Sequence, residues 1–396
     1  MVSEKMLRLG RHRSVIREIY EYGNKRRAQI GAKNVYDFSL GNPSVPAPEI
    51  VTETLQKLIA ETPAEDLHAY TSAPGDPAVR GAIARYIDDT FGYHARGEYI
   101  YMTSGAAASL TIALTALVEE GDEVITFVPY FPEYRVFTEK TGAKFVPVES
   151  APGTFQIDGE TLKAAINEHT KAVIVNSPNN PTGVVLTEES IQLLTAILEE
   201  KAARYGHPIF LIADEPYREL VYGGARVPYL PLYYRDTIVC YSFSKSLSLP
   251  GERIGYILVA SGMTHADMVY DAICGAGRAL GYVCAPSLFQ KLVMSCLGQT
   301  ADLAVYDENR RLLYDALTEY GFEAVYPDGA FYLFLKSPIP DANAFCEKAK
   351  DYELLLVPGD DFGCPGYVRI AYCVTTDQIR RSLGAFRQLA KFYLGE

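Results

Sequence analysis

The sequence predicts an α/β fold: a mainly parallel sheet sandwiched by helices, joined to a smaller α+β domain. Three observations carry this. Short apolar runs alternate with helix-like segments through the middle of the chain, and the runs mostly lack polar alternation, as strands buried on both faces do. The last hundred or so residues change character, with longer helical stretches around half-buried strands. A chain of 396 residues is long enough for two cores. We assign 49–290 to the large domain and 1–48 plus 291–396 to the small one.

The N-terminal segment carries Arg8, Arg11, Arg13, Arg17, Lys25, Arg26 and Arg27 among Leu9, Val15, Ile16, Ile19 and Tyr20. That spacing predicts an amphipathic helix with a solvated basic face. A nucleic-acid arm is the poorer reading, because the net charge of −12 supplies no broad basic surface. Gly41–Pro48 is turn-rich and reads as a linker. Thr103-Ser104-Gly105-Ala106 then opens an apolar helix running to Gly121, and small residues there leave backbone N–H groups free for an anion.

The expected strands are Glu123–Val128, Lys144–Val148, Ala172–Asn176, Ile209–Asp214, Thr237–Phe243 and Arg253–Ala260, with a helix over Ser190–Tyr205. Sheets of this kind bind ligands beyond the carboxyl ends of their strands. The residues just after each run are therefore the informative ones. One run ends at Asp214, followed by Glu215-Pro216-Tyr217, and a buried strand-end carboxylate is costly unless a cation meets it. The run ending at Asn176 leads into a turn that carries Asn180 to the same edge.

A third run exits through Tyr241-Ser242-Phe243-Ser244-Lys245, with Arg253 eight residues on. A lysine held beside another cation loses its proton more readily and becomes a nucleophile toward carbonyls. The hydroxyls and the arginine suit a phosphate. Toward the C-terminus the pattern predicts a long helical stretch over Ser287–Tyr320, strands over Gly329–Lys336 and Val368–Tyr372, and a helix from Thr376.

Composition narrows the class. The chain is 48% apolar and 22% charged, as globular proteins are. Its seven cysteines form no C-x-x-C pair, which favours free thiols in a reducing compartment over zinc or disulfides. No signal-like stretch occupies residues 1–14, and the apolar segment Leu110–Val118 stops at Glu119-Glu120, too short to cross a bilayer. A cytoplasmic protein is expected. Gly275-x-Gly277-x-x-x-Gly281 has the wrong spacing for a dinucleotide loop, and no buried strand precedes it.

The ordered set of anion site, turn amide, Asp-x-x-Tyr and Ser-x-x-Lys-x7-Arg meets the needs of one cofactor, pyridoxal 5′-phosphate. In these motifs, and in order from about Tyr36 to beyond Arg369, the chain resembles the fold type I aminotransferases of the aspartate aminotransferase class. The resemblance implies that Lys245 forms the Schiff base with the cofactor and then moves the substrate proton. It implies that Asp214 pairs with the pyridine nitrogen and that Tyr217 and Asn180 contact the ring oxygen. Phe131 then stacks on the ring where relatives often place a tryptophan, and this chain has no tryptophan. Ser104, Gly105, Ala106, Ser242, Ser244 and Arg253 would hold the phosphate, helped by Tyr70 reaching across a homodimer.

Arg369, with Gly41 and Asn180, would bind the substrate α-carboxylate; a planar guanidinium suits that group as lysine does not. Ala107 stands where some bacterial members carry a lysine for an acidic side chain; the best candidate cation for a distal carboxylate is Arg278, with another cation left open. The expected activity is amino transfer from an L-amino acid, aspartate or an aromatic one, to a 2-oxo acid by a ping-pong cycle. The same residues would also serve a β-lyase or a decarboxylase. A cofactor-binding regulator would need an added DNA-binding domain, and 48 linker-like residues do not supply one.

Overall fold

A computed structural model describes residues 2–11 and 15–395 of the chain; Arg13, one of the N-terminal cations, lies outside them. The large sheet has seven strands, β1 (Ile100–Thr103), β2 (Glu123–Val128), β3 (Lys144–Glu149), β4 (Thr170–Asn176), β5 (Phe210–Asp214), β6 (Thr237–Ser242) and β7 (Gly255–Val259). Their order across the sheet is β1-β7-β6-β5-β4-β2-β3. Neighbours from β6 to β3 run parallel, whereas β7 is antiparallel to both β6 and β1. Residues 243–254 connect β6 to β7 through a single short helix, Phe243–Ser246, in place of the longer helix usual in a parallel crossover.

The strands fall within a few residues of the expected runs, with instructive differences. Strand β3 lies at the sheet's edge and buries only Phe145 and Val148, one toward each face, leaving Lys144, Pro147 and Glu149 exposed. Arg253 precedes β7 in a left-handed backbone conformation (φ 53°) rather than extending the strand. Phe243 begins a one-turn helix, Phe243–Ser246, that carries Lys245.

Helix Glu188–Tyr205 shows why the helices sit where they do. Thr187 caps it by accepting from the Ser190 N–H, Gly206 ends it at φ 75°, and Ile191, Leu194, Ile197 and Leu198 turn toward the sheet. Both faces of the large sheet are covered by apolar side chains, one set around Leu211 and Val239, the other around Ile212 and Ile238.

The smaller domain holds a four-stranded antiparallel sheet of β8 (Ala324–Val325), β9 (Tyr332–Lys336), β10 (Val357–Pro358) and β11 (Tyr367–Ala371), ordered β10-β11-β9-β8. Helices Leu303–Glu319 and Thr376–Leu394 pack on one another beside it. The stretch expected as one helix over Ser287–Tyr320 is two, Ser287–Ser295 and Leu303–Glu319. Gly298 turns left-handed between them (φ 77°), and Asp302 caps the second through the Ala304 N–H.

The N-terminal segment is more structural than its composition indicates. Tyr36–Asp37 pairs in parallel with Leu354–Leu355, Phe38 is fully buried, and the Ala371 N–H donates to the Phe38 carbonyl. Arg27 bonds Asp37 at 2.6 Å and Arg26 bonds Glu353 at 3.0 Å, so two of the cations tie helix Val15–Ile30 to the small domain. Helix Glu4–Arg11 buries no residue. Among the described residues no helix is long and apolar enough to cross a membrane, and no three His, Cys, Asp or Glu side chains gather to hold a metal. All seven cysteines are free.

Candidate active site

One cavity opens at the carboxyl ends of the parallel strands, against the small sheet. Gly41, Ala106, Phe131, Asn180, Asp214, Tyr217, Ser242, Ser244, Lys245, Arg253 and Arg369 line it together. These eleven residues come from stretches far apart in the chain, and strand order brings them to one edge. Asp214 ends β5 and Ser242 ends β6, and these strands are adjacent. Asn180 follows β4, the other neighbour of β5, and Arg369 sits mid-strand in β11.

The phosphate-suited corner is built from hydroxyls and a guanidinium. Ser242 Oγ accepts from the Ser244 N–H at 3.1 Å and meets Ser244 Oγ at 2.7 Å, and Arg253 Nη1 donates to Ser244 Oγ at 3.5 Å and to the Pro250 carbonyl at 3.0 Å. Gly105 stands immediately before helix Ala106–Leu117, at φ 87°, and a Cβ there would lie 2.7 Å from Arg253 Nη2. Only glycine lets the guanidinium lie against the start of that helix, where unpaired N–H groups favour an anion. Gly105 and the half-buried Ser104 flank the cavity without lining it.

Lys245 points its ammonium at the Gly41 carbonyl, donating at 2.6 Å, and lies 5.4 Å from the centre of the Phe331 ring. Burial lowers its pKa to about 8, with Arg253 and Arg369 adding to the push against the nearby thiol of Cys373. The segment expected as a linker, Gly41–Pro48, thus begins in the wall of the site. A Cβ on Gly41 would collide with the Tyr332 hydroxyl, which fixes glycine there.

Two charged groups of the cavity lining have bonding capacity left over. Asp214 is 4% exposed; one carboxylate oxygen, Oδ2, takes the Tyr134 hydroxyl at 2.5 Å, and the other, Oδ1, has no partner. Burial raises its carboxyl to about 7, opposed by the Tyr134 hydrogen bond and reinforced by Glu215. Arg369 is 2% exposed and donates to Asn180 Oδ1 at 3.1 Å and to the Ser39 carbonyl at 2.5 Å, while its Nε has no partner. Its guanidinium lies 4.8 Å from the centre of the Tyr332 ring and 4.9 Å from that of Phe362. Among the described residues no carboxylate pairs with it, and a buried guanidinium without one is set to receive an anion.

Tyr217 shares a hydrogen bond of 2.9 Å with Tyr332, so a large-domain phenol meets a small-domain one beside the cavity. Tyr70 is 95% exposed and does not line the cavity of its own chain. Arg278 is also outside the cavity and exposed near the end of helix Ala266–Leu280. The segment after it bonds back to the Tyr70 loop, where the Cys284 N–H donates to the Ala73 carbonyl at 3.1 Å.

Residues that sequence reasoning left out also belong here. Ile16 from the N-terminal helix, Leu110, Asn176, Pro216, Pro250 and Tyr332 line the cavity. Tyr134 lies beneath it. Tyr332 alternates with Phe331 and Leu333 on its strand, so the strand's period already set it on the other face.

These residues fit pyridoxal 5′-phosphate. An unpaired buried carboxylate oxygen suits a protonated ring nitrogen, a lysine near neutrality suits a carbonyl, and the serine–arginine corner backed by Gly105 suits a phosphate.

Comparison with known proteins points to a family. The profile of the family "Aminotransferase class I and II" matches residues 33–386. A probable N-acetyl-LL-diaminopimelate aminotransferase of Bacillus subtilis is 30% identical, over 93% of this chain and 92% of that protein. A crystal structure of an amino transferase from Eubacterium rectale superposes with a TM-score of 0.97 at 54% identity, covering 99% of each chain. The aspartate aminotransferase of Thermus thermophilus with maleate superposes at 0.84 with 26% identity, over 98% of this chain and all of that one (100%).

Proposed function

The chain belongs to the class I and II aminotransferase family and is an aminotransferase, and we propose that it holds pyridoxal 5′-phosphate in this cavity and works by two half-reactions in the same pocket. The observation that carries the reading is the buried Lys245, its pKa lowered to about 8, facing a cavity that also holds an unpaired Asp214 oxygen and an Arg369 with no acid among the described residues. Bound there, the cofactor supplies an electron-withdrawing ring that stabilises negative charge developing at the substrate α-carbon.

The chain's own residues supply the rest. Arg369 takes the α-carboxylate, with Asn180 held beside it and the Gly41 backbone close by. Lys245 Nζ attaches the cofactor in the resting enzyme and moves the α-proton in the working one; both roles need the neutral amine that burial favours. Asp214 meets the ring nitrogen, Tyr217 and Asn180 the ring oxygen, and Phe131 the ring face. Ser104, Gly105, Ala106, Ser242, Ser244 and Arg253 hold the phosphate. Tyr70, which has no role in its own cavity, reaches the phosphate of a second copy, making the enzyme a homodimer.

The four charged groups lining the cavity, Asp214, Lys245, Arg253 and Arg369, are then all occupied, and Ile16, Ala107, Leu110 and Phe131 add only apolar surface. The chain's own pocket therefore favours an uncharged, aromatic or aliphatic donor. Arg278 supports the second reading, a dicarboxylic donor: it is exposed, the segment after it is bonded to the loop that carries Tyr70, and on this reading it would serve the second copy's pocket. The relatives' names cover both aspartate and prephenate.

The test is a panel of amino donors with 2-oxoglutarate, following the oxo acid formed. Turnover is expected with at least one donor, with Lys245→Ala slowed about 1,000-fold or more. Ordinary turnover by Lys245→Ala, or pyruvate and ammonia released with no acceptor present, overturns the reading. With an uncharged 2-oxo acid as acceptor, a fall in aspartate turnover alone on Arg278→Gln favours the dicarboxylic donor.

A further inference from the structure

Asp214 is held from behind by a residue outside the cavity lining. Tyr134 is 1% exposed, and its hydroxyl donates to Asp214 Oδ2 at 2.5 Å. It stands in the first turn of helix Glu133–Lys140, three residues after Phe131, with the two rings packed edge to face 5.7 Å apart. One short turn therefore supplies both the ring that faces the cavity and the phenol beneath the carboxylate. On the other flank Asn176 Nδ2 donates to the Asp214 carbonyl at 2.9 Å and approaches Oδ2 at 3.4 Å. Both supports converge on the same carboxylate oxygen, and Oδ1 is left bare.

We propose that Tyr134 is a positioning residue for the cofactor: by occupying Oδ2 it orients Asp214 with Oδ1 free for the ring nitrogen and keeps the carboxylate ionised. This rests on the reading of Asp214 as the ring-nitrogen partner.

The physical case has three parts. A phenol has one proton, and here its acceptor is Asp214, so the donor direction is fixed as long as the phenol stays protonated. Burial and the neighbouring Asp214 charge push the Tyr134 phenol well above its ordinary value, so it stays protonated through the working range. A hydrogen bond to an ionised oxygen favours the ionised form and opposes the desolvation that raises Asp214. The other titratable groups facing this pair are Glu215 and Cys240 on the adjoining strand ends and Tyr217 beside the cavity. None of them donates a hydrogen bond to an Asp214 side-chain oxygen, so none replaces the phenol.

The experiment measures pyridoxal 5′-phosphate affinity of the cofactor-free protein by equilibrium titration across pH, for wild type, Tyr134→Phe, Asp214→Ala and the double variant. Phenylalanine keeps the ring packed on Phe131, and thermal melts check that the fold survives. Tyr134→Phe is expected to weaken binding about 10-fold, the scale of a lost hydrogen bond to a charged group. It should also move the acid limb of the affinity curve to higher pH, because the carboxyl then ionises later. In the Asp214→Ala background the same change should do almost nothing. Equal losses in both backgrounds, or an unmoved acid limb, overturn the proposal. If Asp214→Ala itself binds the cofactor normally, the reading of Asp214 fails and the proposal with it.

Discussion

Asp214 and Glu215 are neighbours in the chain, equally buried at 4% and 3% exposure, and they live in different regions of the molecule. Glu215 faces away from the cavity and closes a two-pronged pair with Arg218, whose Nε donates at 2.6 Å and whose Nη2 completes the fork. Arg218 lies beside the stacked pair of Phe91 and Tyr229, 5.1 and 5.0 Å from their ring centres, and also donates to the Val227 and Pro228 carbonyls. Asp214 faces the cavity and keeps one oxygen bare.

Two arginines repeat the contrast. Arg310, 3% exposed, pairs with Asp307 at 2.5 Å and caps the Pro327 carbonyl at 2.8 Å; Arg369, 2% exposed, has no acid among the described residues. Burial alone does not mark a functional charge. What separates the regions is whether the protein supplies its own counterion. Where it does, the charge specifies structure; where it does not, the missing partner describes the ligand.

The sharpest way to break this comparison is to unpair the structural side. Glu215→Ala leaves Arg218 buried without its acid and is expected to cost about 3–5 kcal/mol in a urea melt. A loss under about 1 kcal/mol would mean that Arg218 finds water or another acceptor and that the two regions are less distinct than they look. On the ligand side, Arg369→Lys should leave the melting temperature nearly unchanged while raising the donor KM about 10–100-fold, because an ammonium cannot reproduce the planar fork. A large stability loss with an unchanged KM would place Arg369 with the structural pairs.

The smallest expected effect is also the most diagnostic. The folded-state carboxyl of Asp214 lies near 7 against an ordinary 3.8, so the folded protein binds more protons than the unfolded chain between those values and loses stability as pH rises through them. Asp214→Asn removes that penalty. The cofactor-free variant should gain about 1–2 kcal/mol over wild type at pH 8 and nothing at pH 4, while binding pyridoxal 5′-phosphate more weakly. A cofactor-free variant that is less stable at pH 8 would show that Oδ1 is not an uncompensated charge.

Much of this was legible in the sequence because it depended on strand ends. Asp214, Asn180, Ser242 and Lys245 each follow an apolar run, and adjacency in the sheet carried them to one cavity. What stayed illegible depended on contacts between distant pieces. Tyr134 is one of 29 tyrosines, and nothing local distinguishes a phenol that meets a buried carboxylate from one that fills a core; its three-residue offset from Phe131 was the available signal. Gly41–Pro48 has the composition of a linker, and only the Lys245 ammonium and the Tyr332 hydroxyl show why glycine is required at its start. The break between Ser295 and Leu303 was missed because the apolar period resumes after it, although Gly298 and Asp302 are a stop and a start.

The bond from Arg369 to the Ser39 carbonyl spans 330 positions of the chain. A ribosome adding about 5–20 residues each second takes roughly 15–65 s to travel that distance. Ser39 and Lys245 are therefore both made, and the large sheet's strands all translated, while Arg369 does not yet exist. On the roles proposed above, the nascent chain acquires its reactive amine before it acquires the group that would hold a substrate for it.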